Sequence, residues 1–232
     1  GVPSLRVVQI SDSHLGSTFD GEGFARHMEK VQATDPDVVV VTGDFVDDDS
    51  SRKDMERSCK ALGEISASYG VYFVLGNHDR GYGRKRDFTL DDLRNSLREN
   101  HVILLEDETV PLTEGVLLMG RKDMSFPRSS MEELMEGVDE DKYVIVLDHQ
   151  PRDYKEQTRA GVDLVLSGHT HGGQMIPIGP IGMLLKANDK VYGLEKRENT
   201  TFIVNAGISD WAIPFKTGTV SEFGVIDIRT ES

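Results

Sequence analysis

The sequence predicts a layered α/β fold, in which strands covered on both faces alternate with amphipathic helices. Short continuous runs of apolar, mostly β-branched residues are typical of such buried strands. The runs lie at residues 5–10, 37–42, 71–75, 143–147, 162–166 and 201–205. Apolar residues at helical spacing lie between them. The alternation in the first half of the chain, with shorter strands near the C-terminus, therefore favours a layered α/β sandwich.

The helices are predicted from apolar stripes and from capping signals. The stripes consist of Phe24, Met28 and Val31; of Met55, Cys59, Leu62 and Ile65; and of Leu90, Leu93 and Leu97. Thr89 with Asp92, and Ser130 with Glu133, have capping-box spacing and predict two helix N-termini, and we expect Gly137 to end the second of these helices. A further helical segment is expected within residues 152–161.

Composition limits the class of protein. The chain has 232 residues and 38% hydrophobic residues, so we expect one globular domain over residues 1–232. The net charge of −14 argues against general nucleic-acid binding. The lone Cys59 rules out an internal disulfide framework and a cysteine zinc cluster. Because the chain begins at Gly1 rather than Met, we expect membrane association if an anchor was trimmed, and otherwise a cytoplasmic location.

Nearly every predicted strand leads into side chains of the types that bind metal ions. These side chains are Asp12, His14, Asp44, Asn77, His78, Asp79, Asp148, His149, His169 and His171. In open α/β sheets, ligands bind beyond the carboxyl ends of the strands, so we expect these groups to lie together. Oxygen and nitrogen ligands without thiolate suit manganese, iron or zinc. The set is larger than one ion normally takes, which predicts two metals that share a carboxylate.

The ordered motifs D-x-H, G-D-x-V, G-N-H-D, a lone His and G-H-T-H resemble those of the calcineurin-like metallophosphoesterases. The resemblance implies two packed mixed β-sheets flanked by helices, an α/β/β/α sandwich. It also implies one metal held by Asp12, His14, Asp44 and His171, and another held by Asp44, Asn77, His149 and His169. Asp44 would bridge them. The sequence GHTHGGQ followed by IP resembles the branch with bacterial phosphodiesterases, many of which carry N-terminal membrane segments.

The implied activity is dinuclear-metal-dependent hydrolysis of phosphodiesters, phosphomonoesters or pyrophosphates, with manganese as the expected metal and iron or zinc as alternatives. We expect a metal-bridging hydroxide to attack phosphorus. His78 is not needed as a ligand, so we expect it to stabilise a phosphoryl oxygen or protonate the leaving group. Asp79 either holds the ring of His78 or caps a turn.

Other acidic residues near these motifs lie outside the implied ligand sets. The triplet at residues 47–49 is expected to be a solvated loop. Asp148 either points into the sheet layer or orients a neighbour. Serine/threonine phosphatases of the superfamily carry an arginine after GD-x-V-D and later GNHE, whereas this chain reads GDFVDDD and GNHD. Protein dephosphorylation is therefore disfavoured.

Two further features of the sequence bear on the substrate. Arg80 and Arg84 belong to a basic segment that is either a solubilising loop or a contact for an anionic substrate or membrane surface. Residues 175–185 carry no charge and are either a buried loop or an apolar patch for acyl chains. Together they make a lipid-linked phosphoester a candidate substrate and a membrane lipid a candidate partner.

The competing class is a metal-binding interaction scaffold that has lost catalysis. Such loss is expected to replace a ligand or the histidine of G-N-H-D, and all of these are present. Within enzymes, a nuclease is the alternative, which the acidic charge disfavours. The motifs imply no protein partner.

Overall fold

The computed structural model describes residues 4–83, 86–173, 188–209 and 221–229. The strands are β1 (Leu5–Ile10), β2 (Val38–Thr42), β3 (Val71–Val74), β4 (Ile103–Leu104), β5 (Glu108–Thr113), β6 (Val116–Gly120), β7 (Tyr143–Leu147), β8 (Leu164–Ser167), β9 (Gly193–Arg197), β10 (Thr200–Val204) and β11 (Gly224–Ile228). The helices are α1 (Gly21–Gln32), α2 (Arg52–Gly63), α3 (Leu90–Glu99), α4 (Met131–Leu134) and α5 (Tyr154–Arg159). Each predicted apolar run overlaps one of these strands, and β8 and β10 each extend one residue beyond their runs.

The strands form two mixed sheets. The first sheet has the order β11-β1-β2-β3-β4, and the second has the order β5-β6-β7-β8-β10-β9. In the first sheet β1 to β4 are parallel, and β11 is antiparallel to β1. In the second sheet β6, β7, β8 and β10 are parallel, while β5 and β9 are antiparallel additions at the two edges.

The sheets pack face to face because residues of β1 alternate between two apolar environments. Val7 faces the layer between the sheets, where Ile145 and Leu166 of the second sheet contribute. Val8 points the other way and packs against the layer of α1, α2 and α3. Burying a Val or Leu side chain completely contributes about 1.5–3 kcal/mol. Burial on both faces explains why the run from 5 to 10 shows no polar alternation.

The outer face of the second sheet is covered by the two shorter helices. Met131 of α4 and Tyr154 of α5 pack there with Val146 and Phe202. The ring of Tyr154 stacks on that of Phe202 with centroids 3.8 Å apart. The expected α/β/β/α sandwich is therefore confirmed. None of the described helices combines the length and apolar composition needed to cross a bilayer.

Local signals located the helix starts better than the ends. Both predicted capping boxes are present, at Thr89 with Asp92 and at Ser130 with Glu133. The expectation that Gly137 ends the fourth helix was wrong, because α4 already ends at Leu134.

Candidate metal centre

The polar residues that follow the strands of both sheets meet at one edge of the sandwich. Nδ1 of His149, after β7, lies 2.7 Å from the carbonyl oxygen of Thr42 at the end of β2. The backbone N–H of His169, after β8, donates to both carboxylate oxygens of Asp12, each at 3.0 Å. The carboxyl ends of strands from the two sheets therefore converge on one place, as expected for an α/β ligand site.

Three of the predicted ligands form a first donor group. Asp12, His14 and His171 offer donor atoms that all lie within 4.8 Å of one another. Nε2 of His14 is 3.1 Å from Nε2 of His171, which is 3.7 Å from Oδ1 of Asp12. All three residues are buried. Burial raises the pKa of Asp12, so an ionised Asp12 needs a nearby positive charge.

A second donor group contains Asp44, His149 and His169, again within 4.8 Å. The rings of the two histidines meet edge to face with centroids 5.1 Å apart. Asn77 is adjacent to this group, because the backbone N–H of the next residue, His78, donates to Oδ1 of Asp44 at 2.8 Å. Burial, together with the charge of His149, lowers the pKa of His169 to about 4. Its imidazole is therefore neutral at pH 7, the form that binds a metal.

Asp44 lies between the two groups. Its Oδ2 is 3.1 Å from Nε2 of His149 and 3.8 Å from Nε2 of His14. Burial alone would raise the pKa of Asp44, but the charge and hydrogen bond of His149 and the charge of His14 outweigh it and lower the pKa. An ionised carboxylate within reach of both groups is what a bridging ligand requires.

Most of the donor residues have a left-handed backbone conformation, which residues other than glycine rarely adopt. Five residues of the two donor groups have positive φ angles: Asp12 (51°), His14 (37°), Asp44 (51°), His169 (70°) and His171 (49°). Each such conformation costs on the order of 1–3 kcal/mol and persists only where surrounding contacts hold it.

Two glycines of the motifs are required because side-chain atoms of the site lie too close to them for a Cβ atom to fit. A Cβ atom at Gly168 would lie 1.7 Å from Oγ of Ser11 and 2.3 Å from Oδ2 of Asp12. A Cβ atom at Gly76 would lie 2.2 Å from Oδ1 of Asp44. Only glycine leaves room for these carboxylates.

The donor set fits two divalent ions. Oδ1 of Asn77 and Nδ1 of His169 are buried and have no hydrogen-bond partner within the described ranges. Leaving such an atom unsatisfied costs about 1–3 kcal/mol, which a metal–ligand bond removes. The donors are oxygen and nitrogen, which suit divalent transition ions. The only thiol, that of Cys59, is buried in the core on α2.

Asp47 is a site residue that the sequence interpretation missed. Its Oδ2 is 3.1 Å from Nδ1 of His14, and its Oδ1 is 3.0 Å from Nδ1 of His78. The expectation of a solvated loop was therefore wrong for Asp47, which is only 25% exposed. Its position three residues after Asp44 in the G-D-x-V motif was the available signal. Holding Nδ1 of His14 leaves Nε2 for a metal.

Asp47 also controls the charge of His78. Burial alone would lower the pKa of His78, but the hydrogen bond that its Nδ1 donates to Asp47 and the charge of Asp44 outweigh it and raise the pKa. A raised pKa favours the protonated imidazole, which can donate a proton or a hydrogen bond to a phosphoryl oxygen.

Asp79 caps turns of the backbone, which is the second of the two roles expected for it. Its carboxylate accepts backbone N–H groups of Gly76 at 2.7 Å, Asp44 at 3.0 Å, Phe45 at 2.9 Å and Val46 at 3.0 Å. It therefore caps the turns of both motifs. The carboxylate at Nδ1 of His78 is Asp47 and not Asp79, which corrects the alternative in which Asp79 holds that ring.

Asp148 points away from the donor groups. Its carboxylate is fully buried and bonds Nη1 of Arg121 at 3.0 Å, Nη1 of Arg128 at 3.1 Å and Nε2 of Gln157 at 3.0 Å. Its partners therefore belong to α5 and to the segment after β6, and Asp148 orients these neighbours rather than a residue of the donor groups. Asp148 anchors α5 and the segment after β6.

Of the residues predicted to contact the substrate, Arg80 is among those that the structure describes. Arg80 is exposed, donates to the carbonyl oxygen of Ser125 at 2.9 Å, and lies 5.5 Å from the ring centroid of Phe126. Arg84 and the apolar segment 175–185 lie outside the described residues.

The fold and the paired donor groups define a metallophosphoesterase. The calcineurin-like phosphoesterase family matches residues 5–173, and the chain belongs to this family. That family depends on a dinuclear metal centre, and the chain carries matching groups of donor residues.

Relatives from animals and bacteria share this domain. A transmembrane protein with metallophosphoesterase domain from Danio rerio is 32% identical over 97% of this chain and 53% of its own length. The uncharacterised metallophosphoesterase YkoQ from Bacillus subtilis is 29% identical over 96% of this chain and 84% of its own length. The chain spans about half the length of the first of these.

Solved structures share the fold. A dimetal phosphatase from Danio rerio superposes with a TM-score of 0.54 at 11% identity, covering 89% of this chain and 88% of that one. The protein TT1561 of Thermus thermophilus gives a TM-score of 0.56 at 10% identity, covering 88% of this chain and 90% of that one. These similarities support the two-sheet architecture.

Proposed function

We propose that residues 1–232 form one catalytic domain that hydrolyses phosphodiesters, phosphomonoesters or pyrophosphates with two divalent metal ions. The observation that carries the proposal is the pair of donor groups with Asp44 between them, since Oδ2 of Asp44 lies within 3.8 Å of histidines from both groups. A single structural ion would not require a second set of buried ligands.

The proposed ligands of the first ion are Asp12, His14, Asp44 and His171, and those of the second are Asp44, Asn77, His149 and His169. Manganese is the metal we propose, because mixed oxygen and imidazole ligands suit it; iron and zinc are the alternatives. When bound, the two ions would supply activation of a water nucleophile at neutral pH and neutralise charge on the phosphoryl oxygens.

His78 is the proposed catalytic residue of the chain itself. Asp47 holds its Nδ1 at 3.0 Å and favours its protonated form. In that state the imidazole stabilises a phosphoryl oxygen or gives a proton to the leaving-group oxygen. Asp79 contributes indirectly, because its carboxylate fixes the turns that carry His78 and Asp44.

The proposed substrate is an anionic phosphoester, with phosphodiesters favoured by the resemblance to the bacterial phosphodiesterase branch. Arg80 and Arg84 supply positive charge in the segment after G-N-H-D, in a chain whose net charge is −14. That net charge weighs against nucleic acid. Relatives described as transmembrane proteins support a lipid-linked substrate and a membrane-associated location.

The experiment is hydrolysis of p-nitrophenyl phosphate and bis-(p-nitrophenyl) phosphate by manganese-reconstituted protein, with metal content measured in parallel. We expect diester turnover, which Asp44→Asn abolishes together with metal binding. His78→Ala should lower turnover about 10²–10⁴-fold without loss of metal. The matched control is His101→Ala, an exposed histidine outside the site.

The outcomes discriminate between the proposals. Monoester turnover alone would redirect the substrate search to phosphomonoesters. Two bound ions without turnover of either substrate would favour the interaction scaffold. Equal loss of metal and turnover in His78→Ala would make His78 a ligand or a structural residue.

A further inference from the structure

Tyr82 lies beside the metal centre although its side chain is 62% exposed. Nδ2 of Asn77 donates a hydrogen bond to the Tyr82 hydroxyl at 3.1 Å. The Tyr82 ring meets that of His78 edge to face, with centroids 5.4 Å apart and an interplanar angle of 79°. An exposed tyrosine gains little from burial, so these two contacts are what relate it to the site.

The hydrogen bond determines which end of the Asn77 amide faces the donor groups. A carboxamide has one oxygen that can bind a metal and one NH₂ group that cannot, and a half-turn of the side chain exchanges them. Because Nδ2 donates outward to Tyr82, Oδ1 is directed the other way, where it is buried without a hydrogen-bond partner among the described residues.

We propose that Tyr82 is a positioning residue that holds Asn77 in its metal-binding orientation. This inference rests on the ligand assignment proposed above and adds to it a residue that binds no ion itself. A contact of this kind stabilises the bound state by removing the amide orientation that would present N–H donors to the metal.

Tyr82 is itself fixed by Asp48, a second member of the acidic triplet. The backbone N–H of Tyr82 donates to Oδ1 of Asp48 at 2.9 Å. A Cβ atom at Gly83 would lie only 3.0 Å from Oδ2 of Asp48, so the glycine permits the loop to close on the carboxylate. Two members of the triplet therefore contact the site: Asp47 contacts His14 and His78, and Asp48 contacts the backbone of Tyr82.

The test is manganese titration of metal-free protein by calorimetry, comparing the wild type with Tyr82→Phe. The substitution keeps the ring and removes only the hydroxyl. We expect the dissociation constant of the ion bound by Asn77 to rise about 10-fold, the lower end of the effect of losing a group that orients a metal ligand, with the other ion unaffected. Tyr69→Phe, the same change two residues before β3 begins, is the matched control and should change neither constant. Equal melting temperatures of the metal-free proteins would show that the fold is intact.

A double-mutant cycle with Asn77→Asp separates positioning from other roles of the hydroxyl. A carboxylate has two equivalent oxygens and needs no orienting, so Tyr82→Phe should have no further effect on metal affinity in that background. Unchanged affinity in Tyr82→Phe alone, or an undiminished 10-fold effect in the Asn77→Asp background, would overturn the inference. Metal binding is measured without substrate, so a protein that binds two ions yet hydrolyses nothing contradicts the proposed function while this test still gives a result.

Discussion

Replacing Asp47 by Asn is expected to lower phosphoester turnover about 10–100-fold while the chain stays folded. The wild-type carboxylate contacts Nδ1 of His14 at 3.1 Å and Nδ1 of His78 at 3.0 Å. An asparagine offers one acceptor oxygen, so at most one histidine keeps its partner. The change also removes a negative charge beside an imidazole that must carry a proton.

The pH–rate profile of Asp47→Asn should shift in one direction relative to that of the wild type. Asp47 raises the pKa of His78 above its ordinary value, so its removal lowers that pKa. A histidine that acts as an acid is active below its pKa, so the alkaline limb of the pH–rate profile should move to lower pH. Bound metal ions act on His78 in both proteins, so the direction of the difference is unchanged.

The assay is kcat and kcat/KM across neutral and alkaline pH with saturating manganese, with metal content measured in the same samples. Asp49→Asn is the matched control, because Asp49 is the exposed member of the same triplet. A wild-type rate and profile in Asp47→Asn would refute the orienting role. A rate loss that follows loss of an ion would show that the contact with His14 dominates.

Three further predictions concern the surroundings of the site. Asp148→Ala removes the buried carboxylate that contacts Arg121 and Arg128, although Asp153 still contacts both. We expect a loss of about 3 kcal/mol in the free energy of unfolding by urea denaturation, and a loss under about 1 kcal/mol would contradict this. Gly168→Ala places a Cβ atom 2.3 Å from Oδ2 of Asp12. We expect the measured metal content of this variant to fall by one ion per chain while its circular dichroism spectrum stays unchanged. Burial raises the pKa of Cys59 to about 12, so its thiol should react with Ellman's reagent far more slowly in native than in unfolded protein; equal rates would show an accessible thiol.

Most of the central strands and the donor residues could be predicted because their signals are local, although the interior strand β6 lies outside the predicted apolar runs. A strand buried on both faces must be apolar at every position, as in the run VVVVT of β2. Metal ligands must be particular residue types, and their short spacings are visible in the sequence. The structure brings Asp12, His14 and His171 together as one group and Asp44, His149 and His169 as another.

The edge strands were not predicted because their sequences lack this signal. β5 contains Pro111 and is largely exposed, and β9 reads GLEKR. Such segments become strands because a neighbouring strand supplies hydrogen-bond partners on one side, as β6 does for β5. Their pairing is a property of the assembled sheet.

The sequence by itself determined the chemistry of the site: which residue types are present, in which order, and at the ends of which apolar strands. Only the tertiary structure decided the roles of the carboxylates around it. Asp47, Asp48 and Asp49 are adjacent and chemically identical, yet one contacts two histidines, one holds the loop of Tyr82, and one is exposed. The physical reason is that a carboxylate acts through what its oxygens touch, and here those partners come from segments more than thirty residues distant in the chain.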